Sequence, residues 1–199
     1  MRTIEQLRKD FALYTEEIRR CEEAGCDLAL LHLLLALPDV CACLESDPER
    51  KVGNRYTAWC NAYLTETPTI RGNDRYQMRN ALLHSGSTTA QNRPSSHRTL
   101  YTHFSYVDRG SFEVTVHGTT DGNGKVLNLH LKEMVAEMER ALEKWFHALQ
   151  GDPAKMDRVE ENIGRLARVQ PKQIRVSESN GNQVERRGRT VSSTGDALP

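Results

Sequence analysis

The sequence has no excess of charge of one sign. Its 199 residues include 27 lysines and arginines and 27 aspartates and glutamates, so its formal net charge is zero and its isoelectric point is about 7.1. A chain balanced in this way exerts no overall attraction on nucleic acid or on an anionic membrane. Any contact with a polyanion must therefore depend on a local cluster of positive side chains.

Long hydrophobic runs and an even set of cysteines are lacking too. The longest apolar run, Leu28 to Leu37, is about half of the roughly 20 residues that a membrane-spanning helix needs, so we expect a core helix there. Five cysteines form an odd set with no secretory leader ahead of them. This argues against a disulfide framework, and we expect a cytoplasmic protein.

Motifs for cofactor and metal chemistry are absent from the sequence. It contains no phosphate-cradling glycine loop, nucleophile elbow or dinucleotide fingerprint. Cys41 and Cys43 are not followed by a second pair of the kind found in zinc knuckles, so buried thiols in helices are the better interpretation. His97, His103 and His117 lie in a region of predicted strands, and we assign no metal to them. We predict no cofactor and no metal.

Apolar periodicity predicts a mainly α-helical domain over residues 1–150. Thr3 and Gln6 are compatible with a capping box at the start of the first helix. Pro38 lies inside the second helical segment and predicts a kink or break near Leu37. The predicted helices cover residues 3–22, 26–46, 54–64, 73–85 and 129–149.

Between the fourth and fifth predicted helices, residues 99–128 differ in character. Two stretches rich in aromatic and β-branched residues are joined by Asp-Arg-Gly, and a third stretch follows Asp-Gly-Asn-Gly. They predict a small antiparallel β-hairpin of two or three strands inserted into the helical domain. Residues 151–170 are predicted to form a short helix or a linker. Their narrow apolar stripe could pack equally well against this chain or against a partner. Residues 171–199 have few large apolar groups and are predicted to be disordered.

The stretch YQMRNALLHSG, residues 76–86, carries the most specific signal in the chain. Arg79 and His84 are five residues apart, so on a straight helix they differ by about 140° and roughly 7.5 Å. One interpretation is structural, because a histidine in the last turn of a helix is favoured by the helix dipole and an exposed arginine needs no special role. The other is a site that cleaves a phosphodiester, with one cation and one proton carrier.

With the apolar and aromatic helices that precede it, this stretch resembles the HEPN superfamily of prokaryotic helical domains. The family signature is arginine, a polar residue, three variable residues and histidine, which here are Arg79, Asn80, residues 81–83 and His84. The resemblance covers roughly residues 1–150. It implies a HEPN-like helical bundle that acts as a homodimer and as a metal-independent endoribonuclease, often a toxin or defence effector. The implied partners are RNA, a second copy of the chain and an antitoxin protein.

These residue types suit that chemistry. Histidine can take a proton from a ribose 2′-hydroxyl or give one to a leaving 5′-oxygen, which would leave a 2′,3′-cyclic phosphate. Arginine can hold the phosphate and stabilise its growing negative charge. Asn80 would assist His84 or bind a phosphate oxygen. Arg75 and Tyr76 are predicted to bind substrate, and the alternative role for Tyr76, which is the more usual one for such a residue, is packing.

Two points remain open from the sequence. Asp39 and Glu45 flank the second helical piece and would either orient Arg79 from a neighbouring helix or serve as surface charges. Some proteins that resemble the HEPN superfamily are not catalytic, so the alternative function is a nucleotide-binding or protein-interaction module. The alternatives differ in what His84→Ala would do, since only the nuclease loses its activity.

Overall fold

A computed structural model describes residues 2–67, 70–89, 103–107, 116–118 and 125–166. This part of the chain is mainly helical with a small sheet, which confirms the predicted fold class. The predicted disordered tail, residues 171–199, lies outside the described residues. The helices are α1 (Ile4–Ala24), α2 (Asp27–Glu45), α3 (Val52–Tyr63), α4 (Gly72–Ser85), α5 (Leu131–Gly151), α6 (Pro153–Asn162) and a 3-10 turn (Ile163–Arg165); the strands are β1 (His103–Val107), β2 (Val116–Gly118) and β3 (Lys125–His130).

Local signals define both ends of α1. The predicted capping box is present, because the Gln6 N–H donates to the Thr3 hydroxyl at 3.2 Å and the Thr3 N–H donates to the Gln6 side chain at 2.8 Å. The helix ends at Gly25, whose φ of 71° is in the left-handed region that glycine adopts without steric cost. The chain then turns directly into α2.

Helix α2 is the central helix of the bundle and packs against α1, α3, α4, α5 and α6. Of the kink or break predicted near Leu37, the break does not occur, because the helix continues through Pro38 to Glu45. Proline removes one backbone donor, and Leu34, Leu37 and Cys41 are buried around this point, so packing holds the helix together. By length and hydropathy α2 would also suffice to cross a membrane, but half of its apolar window is buried inside the domain, as is usual for a core helix.

The sheet has the order β1-β3-β2, with β3 in the centre. β2 pairs with β3 in antiparallel fashion, whereas β1 pairs with β3 in parallel. β1 and β2, the first two predicted strands, are therefore not neighbours in the sheet. A hairpin joined by Asp-Arg-Gly would require them to be neighbours. β3, which buries Leu127 and Leu129, takes the central position, where its backbone N–H and C=O groups are paired along both edges. The turns between the strands lie outside the described residues.

Helix α6 extends the compact unit beyond α5. Asp152 accepts a hydrogen bond from the Lys155 N–H at 3.0 Å and Pro153 occupies the first turn, which together start the helix. Met156, Val159 and Ile163 of its apolar stripe are buried in the common core, and the fourth member, Leu166, is partly buried against that core. The stripe, which by its sequence suits a partner equally well, is thus used within this chain.

Helix α4, which carries the motif, is fixed to its neighbours near its N-terminus. The Gly72 N–H donates to the Asn61 side chain of α3 at 2.7 Å. A Cβ at Gly72 would lie only 2.4 Å from the Thr57 carbonyl oxygen. Helices α3 and α4 therefore touch backbone to backbone at this point, and the contact sets the position of the rest of α4.

We predict that Gly72→Ala destabilises the domain by about 1–3 kcal/mol, because the added methyl group must push α4 away from the α3 backbone. Gly151→Ala is the matched control, since a Cβ there meets nothing within 4 Å. The free energy of unfolding from urea titration measures both changes. Equal stability of the two variants would contradict the close approach.

Candidate functional site

The motif lies on the last turns of α4, with a buried side and an exposed side. Met78 and Leu82 are buried in the core, whereas His84 is exposed. Asn80 and His84 are four residues apart and share the outer face. The helix ends at Gly86, whose φ is 57° and whose N–H donates to the Leu82 carbonyl oxygen at 2.9 Å. His84 therefore lies in the last turn of α4, where its side chain is exposed to solvent.

The structure brings the three motif side chains together. Nη1 of Arg79 lies 3.0 Å from Oδ1 of Asn80 and 2.9 Å from Nε2 of His84. The helix is regular through this stretch, so the five-residue separation is bridged by the length of the arginine side chain. The guanidinium bonds the neighbouring Asn80 and reaches His84 one turn further on.

The contact between Arg79 and His84 assigns the proton of the imidazole. A guanidinium has hydrogen-bond donors and no acceptor. The 2.9 Å contact is therefore a hydrogen bond only when Nε2 of His84 carries no proton. In this arrangement the Nε2 lone pair is occupied by the hydrogen bond from Arg79, which must open before Nε2 can accept a proton from another group.

Asp39 and Arg55 join the site from neighbouring helices. Nη2 of Arg79 donates to Oδ2 of Asp39, on α2, at 2.8 Å. Nη2 of Arg55, on α3, lies 4.0 Å from Oδ1 of the same carboxylate. Two guanidinium groups thus share one carboxylate, and the cluster keeps one net positive charge. A local cationic site exists although the whole chain is neutral.

Arg75 and Tyr76, predicted to bind substrate, make contacts with other parts of the fold. Arg75 is buried and donates to both carboxylate oxygens of Glu137 on α5, at 2.8 and 2.9 Å. The Tyr76 ring packs against Tyr56, with centroids 5.6 Å apart. The structure therefore places Arg75 in a buried ion pair and Tyr76 at the edge of the core. The sequence could not separate Arg75 from Arg79, because both have helical spacing and the same charge.

Of the two acidic residues considered from the sequence, only Asp39 contacts Arg79 in the described part of the chain. Glu45 accepts hydrogen bonds from Nε1 of Trp145 at 2.9 Å and from the Tyr63 hydroxyl at 3.4 Å. Its carboxylate also lies 3.8 Å from Nζ of Lys155. Burial raises the pKa of Glu45, and these partners only partly oppose the shift. Glu45 joins α2, α3, α5 and α6 within the fold.

The cysteines and the other histidines of the described residues were the remaining candidates for metal chemistry. No group of three histidine, cysteine, aspartate or glutamate side chains comes together there as a metal site would require. Cys41 and Cys60 are buried, and burial raises the pKa of Cys60 to about 12, so its thiol stays protonated at neutral pH. His103 and His117 lie on β1 and β2, and His97 lies outside the described residues.

Arg55 is the site residue that sequence reasoning missed. It belongs to no motif, and its position next to the buried Tyr56 gives no sign that it faces Asp39 on α2. Only the packing of α3 on α2 shows this proximity.

Comparisons with protein-family models, with curated proteins and with solved structures found no match to this chain. Its function must therefore be inferred from the chemistry of the site and from the resemblance of the motif.

We predict that His84 carries its proton on Nδ1 when neutral, because Nε2 accepts from Arg79. Long-range ¹H–¹⁵N NMR at alkaline pH reports the tautomer, and the exposed His147 serves as an internal reference. Arg79→Met removes the hydrogen bond to Nε2, so the tautomer of His84 in this variant should change towards that of His147. A proton on Nε2 in the parent protein would contradict the geometry.

We predict that Glu45→Gln gains stability relative to the parent as pH rises. The native pKa of Glu45 is raised by burial, so the native state binds the proton more tightly than the unfolded chain does. Its stabilising contribution is complete below the ordinary glutamate pKa of about 4.3 and is lost as pH rises through the native value. Urea unfolding at several pH values measures the difference. A variant that loses relative stability with rising pH would show instead that ionised Glu45 stabilises the fold.

Proposed function

We propose that this protein is a metal-independent endoribonuclease of the HEPN type. The observation that carries the proposal is an exposed imidazole whose Nε2 lies 2.9 Å from a guanidinium that a second helix holds in place. Acid–base chemistry at a phosphate requires a proton carrier and a fixed positive charge within reach of the same group. Arg79 and His84 meet both requirements, and Asn80 completes the motif beside them.

The proposed reaction is an internal transfer at phosphorus. His84 takes the proton of the ribose 2′-hydroxyl, and the 2′-oxygen attacks the adjacent phosphorus. The bond from phosphorus to the 5′-oxygen breaks, a proton is delivered to that oxygen, and the products are a 2′,3′-cyclic phosphate and a 5′-hydroxyl. Arg79 stabilises the negative charge that grows on the phosphate oxygens. DNA is not cut, because it lacks the attacking hydroxyl.

A homodimer would supply the second proton carrier. One histidine per site is enough to remove the 2′-proton, and the leaving oxygen needs a proton at nearly the same time. Two copies related by a two-fold axis near the end of α4 would place two motifs in one cleft, one as base and one as acid. We extend the proposal to a cytoplasmic toxin or defence enzyme that an antitoxin protein would restrain.

We predict that the purified protein cleaves mixed RNA in excess EDTA and leaves cyclic phosphate ends. His84→Ala should lower the rate by about 10²–10⁴-fold and Arg79→Ala by about 10²–10³-fold, with the fold preserved by circular dichroism. His147→Ala and Arg19→Ala are matched controls, because both side chains are exposed and lie on other helices. They should retain full activity.

Two outcomes would contradict the nuclease. A folded, dimeric parent that cuts none of a diverse set of RNAs would favour the non-catalytic binding module. Cleavage that survives in His84→Ala, or that disappears with EDTA, would show that another group performs the chemistry.

A further inference from the structure

A cleft of about 330 Å³ opens beside the candidate site, where α1, α2, α3 and the end of α6 meet. Asp39 lines this cleft and also holds Arg79. The side chain of Asp39 therefore connects the cleft to the motif. The other lining residues are Tyr14, Ala36, Val40, Cys43, Leu44, Arg55, Asn162, Arg165 and Leu166.

Arg55 is a guanidinium without a hydrogen bond in the described part of the chain. Its side chain is only 15% exposed, and its nearest carboxylate oxygen, Oδ1 of Asp39, lies 4.0 Å from Nη2, which is too long for a hydrogen bond. Nε of Arg55 is buried and unpaired. Withdrawing a charged donor from water without an acceptor costs free energy. An anionic ligand in the cleft would provide the missing acceptor.

Apart from Asp39 and the amide of Asn162, the walls of the cleft are cationic or largely apolar. Arg165 is exposed on the 3-10 turn after α6, and no ion pair holds it among the described residues. Asp39 is the one carboxylate of the lining, and it is bonded to Arg79. Val40, Leu44 and Leu166 provide apolar surface, with Tyr14 as an aromatic ring. The guanidinium groups of Arg55 and Arg165 can bind a phosphate, and the apolar wall beside them can bind the flat base of the same nucleotide.

We propose that this cleft binds the nucleotide next to the scissile phosphate of the RNA. Arg55 binds the flanking phosphate, Arg165 contributes at the rim, and the base lies against Tyr14 and the apolar wall. Asp39 holds Arg79 in place for the scissile phosphate and separates the guanidinium group of Arg79 from that of Arg55. This inference rests on the proposed function for the identity of the ligand as an RNA strand. Arg55 is a binding residue and takes no part in proton transfer.

The first test measures binding without cleavage. An RNA oligonucleotide with 2′-O-methyl groups is titrated into the parent, Arg55→Gln, Arg165→Gln and the control Arg19→Gln, at about 50–200 mM salt. Removing one arginine that binds a phosphate should reduce the slope of log affinity against log salt by about 0.7. The control should keep the parent slope. Arg165 is exposed, so its variant tests the cleft even if Arg55→Gln unfolds.

The second test uses cleavable RNA. Either substitution removes binding that is shared by the ground state and the transition state, so KM should rise while kcat stays near the parent value. NMR shifts on adding the methylated RNA should appear at Val40 and Leu166.

The outcomes separate the two proposals. RNA binding with shifts in the cleft but no cleavage would support the cleft as an RNA-binding site and overturn the nuclease. Cleavage with unchanged KM and unchanged salt slope in both variants would support the nuclease and overturn the cleft. The cleft proposal would also be overturned if free nucleoside monophosphates caused shifts in the cleft and the oligonucleotide did not. The cleft would then be a site for free nucleotides.

Discussion

The pairing of Arg79 with Asp39 is the interaction on which the candidate site depends. Arg79 is only 16% exposed and Asp39 only 20%, so each charge needs the other as compensation for reduced hydration. Their 2.8 Å contact joins α4 to the central helix α2. With Nη2 held by Asp39, Nη1 is directed to Asn80 and His84. One guanidinium thus connects α2 to both of the other motif side chains.

Helix α4 uses two arginines, four residues apart, in different ways. Arg75 is almost fully withdrawn from water and forms two hydrogen bonds with Glu137, which pair its charge with a carboxylate and anchor α4 to α5. Arg79 lies at the border of the core, where a guanidinium keeps access to solvent and to a ligand. Rigid anchoring near the start of the helix positions the partly exposed groups near its end, as a preorganised site requires.

Neutral overall charge and a cationic site are compatible because electrostatic attraction in water is short-ranged. The Debye length is about 8 Å at physiological ionic strength, so a phosphate responds mainly to the charges nearest to it. Arg55 and Arg79 share Asp39, and this arrangement leaves local positive charge beside the cleft. Composition describes the average over the chain, whereas recognition depends on which side chains the fold brings within a few ångströms.

The sequence by itself determined the helices and the composition of the motif. Capping at Thr3, the turn at Gly86 and the apolar periodicity are local features, encoded within a few residues of one another, and they predict helices with small errors at the ends. Tertiary packing alone decided that β3 is the central strand, that Arg75 is buried and that Asp39 and Arg55 meet beside Arg79. These contacts join residues far apart in the chain, and they depend on how whole helices and strands pack, which no short-range pattern specifies.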